Sequence, residues 1–172
     1  MEAQRAPGIA RVVTKYGLIQ GVFSFAVSIL STLAGIKPSW AGGLLNTALL
    51  IVLVVLAHRE FKKTHNGVMT YSEGLWSGTL LALIAAVVGA VLVYVYVQYI
   101  NSGFLTAAIR AQQATLEQRG ITGAQAQQAM GIIGAMMTPV GVAVSSLITQ
   151  VIIGFIVALF ASIFTQSATA RS

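Results

Sequence analysis

Four stretches of this chain, residues 16–36, 40–57, 74–100 and 140–164, contain no Asp, Glu, Lys, Arg or His. Each is roughly 18 to 27 residues long, enough to cross a ~30 Å hydrocarbon core at ~1.5 Å per residue. Inside lipid every backbone N–H and C=O needs a partner within the protein, so these stretches are expected to be helices. A buried soluble core is excluded by what is left to cover it. The chain is 56% hydrophobic and only 8% charged, where a soluble domain carries about a quarter charged residues. The expected fold class is all-α: an integral membrane four-helix bundle, a single transmembrane domain over residues 1–172.

Signals at the stretch ends support this division. Thr70-Tyr71-Ser72-Glu73 has the form of a capping box, in which Thr70 and Glu73 satisfy free N–H groups where the third helix opens. Asn66-Gly67 before it is a turn signal. Thr138-Pro139 sets a cap residue ahead of a proline at the first helical position, where its missing N–H costs nothing. Lys37-Pro38-Ser39 is expected to break the chain between helices one and two.

Only residues 101–138 form a long polar piece. Leu105, Ala108, Ile109, Gln112 and Leu116 recur at helical spacing, and Gly120 ends that pattern. Thr122 to Gln125 reads as a second capping box, opening a helix with Ala126, Ala129, Met130, Ile133 and Met137 along one side. A helical hairpin over about 103–137 is therefore expected between helices three and four. It either covers its own bundle or presents a surface to a partner.

The bases report orientation. With the N-terminus in the cytoplasm, Arg5, Arg11, Lys15, Arg59, Lys62, Lys63 and Arg171 fall inside, and only Lys37, Arg110 and Arg119 outside. The positive-inside rule favours this arrangement, with both termini cytoplasmic and the hairpin extracytoplasmic. Trp40, Tyr94, Tyr96 and Tyr99 then lie at the outer interface, and Tyr16, Tyr71 and Trp76 near the inner one.

Little in the chain could carry chemistry. There is no cysteine, which removes thiolate metal sites, disulfide exchange and cysteine nucleophiles. A proton- or ion-coupled carrier needs an ionisable group within a span, and the four stretches have none. His58 and His65 with Glu60 and Glu73 are the one collection of nitrogen and oxygen ligands, without a tight ligand spacing. This segment is read as a wet interfacial loop. Its bases Arg59, Lys62 and Lys63 are expected to contact anionic lipid headgroups, an attraction of about 1 kcal/mol per base. No catalytic residue, metal ligand, cofactor or nucleic-acid partner is expected, and the chain is not expected to be an enzyme.

Positive evidence concerns contact. Gly17 and Gly21, extended by Ser24 and Ser28, and Gly74 with Gly78 form small-residue faces that let helix backbones approach closely. Such faces serve packing inside one bundle or between subunits, and both uses stay open here.

Lys15 to Ile19, Phe61-Lys62-Lys63 followed by Asn66-Gly67, and Tyr71 to Gly74 together resemble a bacterial four-helix membrane family, domain of unknown function 4199. Residues 117–122 and 127–130 resemble the polar helical insert that precedes helix four in that family, although this insert has few acids. The resemblance covers nearly the whole chain and implies the four-helix topology, with no established activity. The expected role is a non-enzymatic accessory, assembly or scaffolding subunit in the bacterial inner membrane. Its expected partners are lipids and further membrane subunits or itself, and the alternative is a small oligomeric channel or transporter.

Overall fold

The computed structural model describes residues 9–34, 40–64, 66–101 and 103–167. Within them lie α1 (Ile9–Leu33), α2 (Trp40–Thr64), α3 (Tyr71–Val95), α4 (Gly103–Gln118), α5 (Gly123–Met136) and α6 (Pro139–Thr165), with no strand among the described residues. One π-helical turn, Tyr96–Ile100, continues α3. Helices α1, α2, α3 with its π turn, and α6 are long and apolar enough to cross a membrane, so the chain is an all-α membrane-spanning protein.

The helices overrun the charge-free stretches because a helix need not stop at the hydrocarbon boundary. Helix α2 continues from Ala57 through Thr64, carrying Lys62 and Lys63 in its last turn. There their charge meets the partial negative charge of the unpaired terminal carbonyls. The chain turns only at Asn66 and Gly67, both at positive φ (53° and 80°). Helix α3 then opens on a formed capping box. The Thr70 N–H donates to Glu73 Oε2 at 2.8 Å, and the Glu73 N–H donates to Thr70 Oγ1 at 3.3 Å. Helix α6 opens in the same manner, with the Gly141 N–H donating to Thr138 Oγ1 at 3.0 Å. The proposed box at Thr122 does not form. Thr122 occupies the cap position of α5 in extended backbone, without a side-chain hydrogen bond. The Lys37-Pro38-Ser39 break lies outside the described residues, as do Arg5, His65 and Arg171.

The chain divides into two compact units, Met1–Gly89 with Leu147–Ser172, and Ala90–Ser146. In the first, Val12 and Val13 of α1, Leu50, Val54 and Ala57 of α2, Leu81 of α3, and Val157 and Ala161 of α6 bury a common core. Many large apolar side chains remain outside it, among them Leu30, Trp76, Phe160 and Phe164. In water such a surface would drive aggregation; in hydrocarbon it is ordinary solvent contact.

Small residues set the approach of the helices. A Cβ added to Gly74 would lie 3.0 Å from Ser162 Oγ, and one added to Gly78 would lie 2.8 Å from Ala158 Cβ. One added to Gly154 would overlap Ala82 Cβ. Every step of four along α3 is thus matched by a step of four backwards along α6, which makes an antiparallel seam in register. Helix α1 meets another side of α3 in parallel. A Cβ on Gly17 would come within 2.9 Å of Leu81 O and Ile84 Cβ, and one on Gly21 within 2.8 Å of Ala85 O and Val88 Cβ.

The second unit holds the hairpin. Gly120, at φ 72°, ends α4. The Ile121 N–H donates to Leu116 O at 3.0 Å, and the Gly120 N–H donates to Glu117 O at 3.0 Å. These paired bonds form a Schellman motif, which satisfies carbonyls that a helix end leaves free. Leu105, Ala108, Ile109 and Leu116 are half-buried, as are Ala126, Ala129, Met130, Ile133 and Met137. Gln112 is exposed despite its place in the spacing. In the π turn the Asn101 N–H donates to Tyr96 O at 2.9 Å. The buried Tyr96 ring stands edge-on to Phe104, 6.2 Å between centroids.

Candidate functional site

Polar side chains gather in two places in the first unit. One is where α2 ends and α3 begins. Lys15 and Tyr16 on α1 both reach Glu60 on α2: Lys15 Nζ donates to Glu60 Oε2 at 3.0 Å, and the Tyr16 hydroxyl donates to the same oxygen at 2.7 Å. The ammonium also stands 4.7 Å from the Tyr16 ring centroid. One carboxylate therefore ties two helices, its charge met by a cation and a phenol.

His58 overturns the reading of residues 58–74 as a wet loop. It is helical, in α2, and fully buried. Its Nε2 lies 3.0 Å from Gly74 O and its Nδ1 lies 2.6 Å from Thr165 Oγ1. A carbonyl only accepts, so Nε2 carries hydrogen and donates. Thr165 Oγ1 is also 2.7 Å from Ala161 O, and its one hydrogen serves either neighbour. The imidazole thus joins α2, α3 and α6 at one point. The Ser77 hydroxyl donates to the same Gly74 carbonyl at 2.9 Å. Beside this knot, the Ser167 N–H donates to Met69 O at 2.9 Å and the Ser167 hydroxyl donates to Gly67 O at 2.9 Å, pinning the residues after α6 to the turn before α3. The physical reason for the correction is simple. The chain does not turn before Asn66, so the helix has no cause to stop at Ala57, and its continuation keeps residue 58 on the buried face with Val54, Ala57 and Phe61.

The bases of the same region point elsewhere. Arg59 and Lys63 are exposed and Lys62 is half-buried, all in the last turns of α2. They form a cationic fringe beside the buried histidine. Among the described residues no three His, Cys, Asp or Glu side chains stand close enough to hold a metal ion.

The second gathering lies deeper. Gln20 on α1 is fully buried, and its Nε2 donates to Asn46 Oδ1 on α2 at 3.0 Å and to Ser24 Oγ at 3.1 Å. The Ser24 hydroxyl donates to Asn46 Oδ1 at 2.6 Å. Ser24 therefore serves as a polar link between α1 and α2, beyond its expected use as a small packing residue. Ser28, one turn on, is exposed. Gly17 and Gly21 face α3, and Gly74 and Gly78 face α6.

The small residues of α6 form the complementary face. Gly154, Ala158 and Ser162 repeat at four-residue spacing, the same signal that singled out Gly74 and Gly78, and they supply the other side of that seam. His58 had no comparable signal, because its partners are a backbone carbonyl and a threonine far away in sequence.

Chemically, these arrangements hold helices together. The one described histidine is spent on helix junctions.

No match is found among curated proteins or among solved structures. A family model described as protein of unknown function (DUF4199) matches residues 15–167. This range runs from Lys15, through the Glu60 tie, the His58 knot and the hairpin, to Ser167 at the close of α6. The chain therefore belongs to the DUF4199 family.

Proposed function

We propose that this protein is a non-enzymatic accessory, assembly or scaffolding subunit, acting in a membrane complex or homo-oligomer. We place it in the bacterial inner membrane with both ends in the cytoplasm. The observation that carries the reading is how the reactive side chains are spent. Glu60 is bound by Lys15 and Tyr16, Glu73 by Thr70, and Glu117 by Gln113, while His58 bridges three helices. These account for every described acid and the described histidine, and each has a structural partner. The exposed bases Arg59 and Lys63, with Lys62, suit anionic lipid headgroups on the cytoplasmic leaflet.

The glycine faces have a consequence for partners. Gly17, Gly21, Gly74 and Gly78 are already filled by helices of the same chain, so a partner meets the outward apolar faces instead. Extraction in mild detergent tests the proposal. A defined homo-oligomer or a stoichiometric membrane subunit is expected to come out with the chain. A monomer that conducts ions or solutes by itself in reconstituted vesicles would overturn it.

A further inference from the structure

We infer that the bundle binds water at mid-helix depth, in a layer that joins Gln20 of α1 to Gln150 of α6. This goes beyond the scaffolding role and does not depend on it. Gln20 is fully buried, and among the described residues its Oε1 accepts no hydrogen bond. The Nε2 of Gln150 is likewise buried and donates none. One end therefore lacks a donor and the other lacks an acceptor.

The register of the helices brings these two side chains to one level. Gly17 sits against Leu81 and Ile84, and Gly21 against Ala85 and Val88, which puts Gln20 level with Ala85 and Ala86 on α3. On an adjacent face of α3, Gly78 faces Ala158 and Gly154 faces Ala82. One more step of four brings Gln150 opposite Ala86. Both glutamines therefore belong to the same layer.

The orientation of the Gln20 amide is determined by its other neighbours. Its Nε2 lies 3.4 Å from Asn46 O as well as 3.0 Å from Asn46 Oδ1. Turning the amide over would set oxygen against that backbone carbonyl and leave a donor stranded instead. The orphan oxygen is thus a property of the site.

The chemistry of the bound species follows from the two free atoms. It must donate to Gln20 Oε1 and accept from Gln150 Nε2. A bare cation cannot accept, a simple anion cannot donate, and a lipid chain can do neither. Only an amphiprotic molecule satisfies both, and the full burial of Gln20 favours the smallest, water. Buried waters in proteins take this part, bridging polar groups that would otherwise be unpaired.

The test uses the full chain, labelled with ¹⁵N-glutamine and reconstituted in bilayers, with water as the probe. Solid-state NMR transfer from water to the side-chain amides should reach both Gln20 and Gln150. In Gln150→Leu the transfer to Gln20 should be lost, because the molecule has lost its second anchor. Gln150→Met serves if the leucine variant does not fold. The inference is overturned if neither amide receives transfer from water, or if transfer to Gln20 survives removal of the Gln150 amide. A direct through-hydrogen-bond coupling from Gln150 Nε2 to the Gln20 carbonyl would overturn it as well.

Discussion

His58 shows how much one residue's meaning depends on where its helix stops. A histidine next to Arg59 and Lys62, at the end of an apolar run, has the company of an interfacial side chain. Its burial follows from the extra turns of α2, which place both ring nitrogens against α3 and α6. Replacing it with leucine keeps comparable bulk but removes both hydrogen bonds. A buried group left unsatisfied costs about 1–3 kcal/mol, although Gly74 O keeps its bond from Ser77. His58→Leu is expected to lower the thermal midpoint of the detergent-solubilised protein while leaving it helical, as followed by circular dichroism. An unchanged midpoint would show that the knot contributes nothing. Thr70→Ala belongs to the same scale. It removes the cap that Glu73 completes, a loss of about 1 kcal/mol, and faster hydrogen exchange at the Glu73 amide would report it.

At the level of helices, the seam between α3 and α6 decides how the first unit packs. Gly78→Leu puts a branched side chain where Ala158 Cβ would stand 2.8 Å from even a methyl group. Overpacking of this kind costs about 1–3 kcal/mol and occasionally more. The expected outcome is loss of the folded monomer, seen as aggregation on size exclusion. Release of an intact monomer from a complex is not expected, because the contact lies within the chain. Gly89 supplies the control on the same helix, since a Cβ there meets nothing within 4 Å. Gly89→Ala should be neutral or slightly stabilising, by about 0.5–1 kcal/mol from the helix preference of alanine. Equal damage from both variants would sink the seam argument. The four-residue repeat on α3 was legible in the sequence, and so was its match on α6. What the repeat cannot say is which helix a small face meets, because small-residue spacing carries no partner identity.

For the whole molecule, the orientation proposed from the bases has a clean test, because the chain has no cysteine to give a labelling background. A cysteine introduced beside Gln113 should react with an impermeant thiol reagent applied from outside the cell, and one beside Lys63 should not. The reverse pattern would overturn the orientation. The sequence alone was enough to establish the membrane-spanning class and the four long helices. Hydrocarbon leaves a chain so poor in charge no other solvent, and it leaves the backbone no other way to satisfy itself over such lengths. The openings of α3 and α6 were legible for a local reason: Thr70 with Glu73 and Thr138 with Gly141 are contacts between near neighbours in sequence. The true end of α2 was not, since charge marks where lipid stops and not where a helix does. The Lys15–Glu60 tie, the His58 knot and the Gln20–Asn46 bond join residues on different helices. Only the tertiary structure decided them, because helix register and rotation are settled by how small and large side chains fit across the interface, a sum over all the helices that no single segment contains.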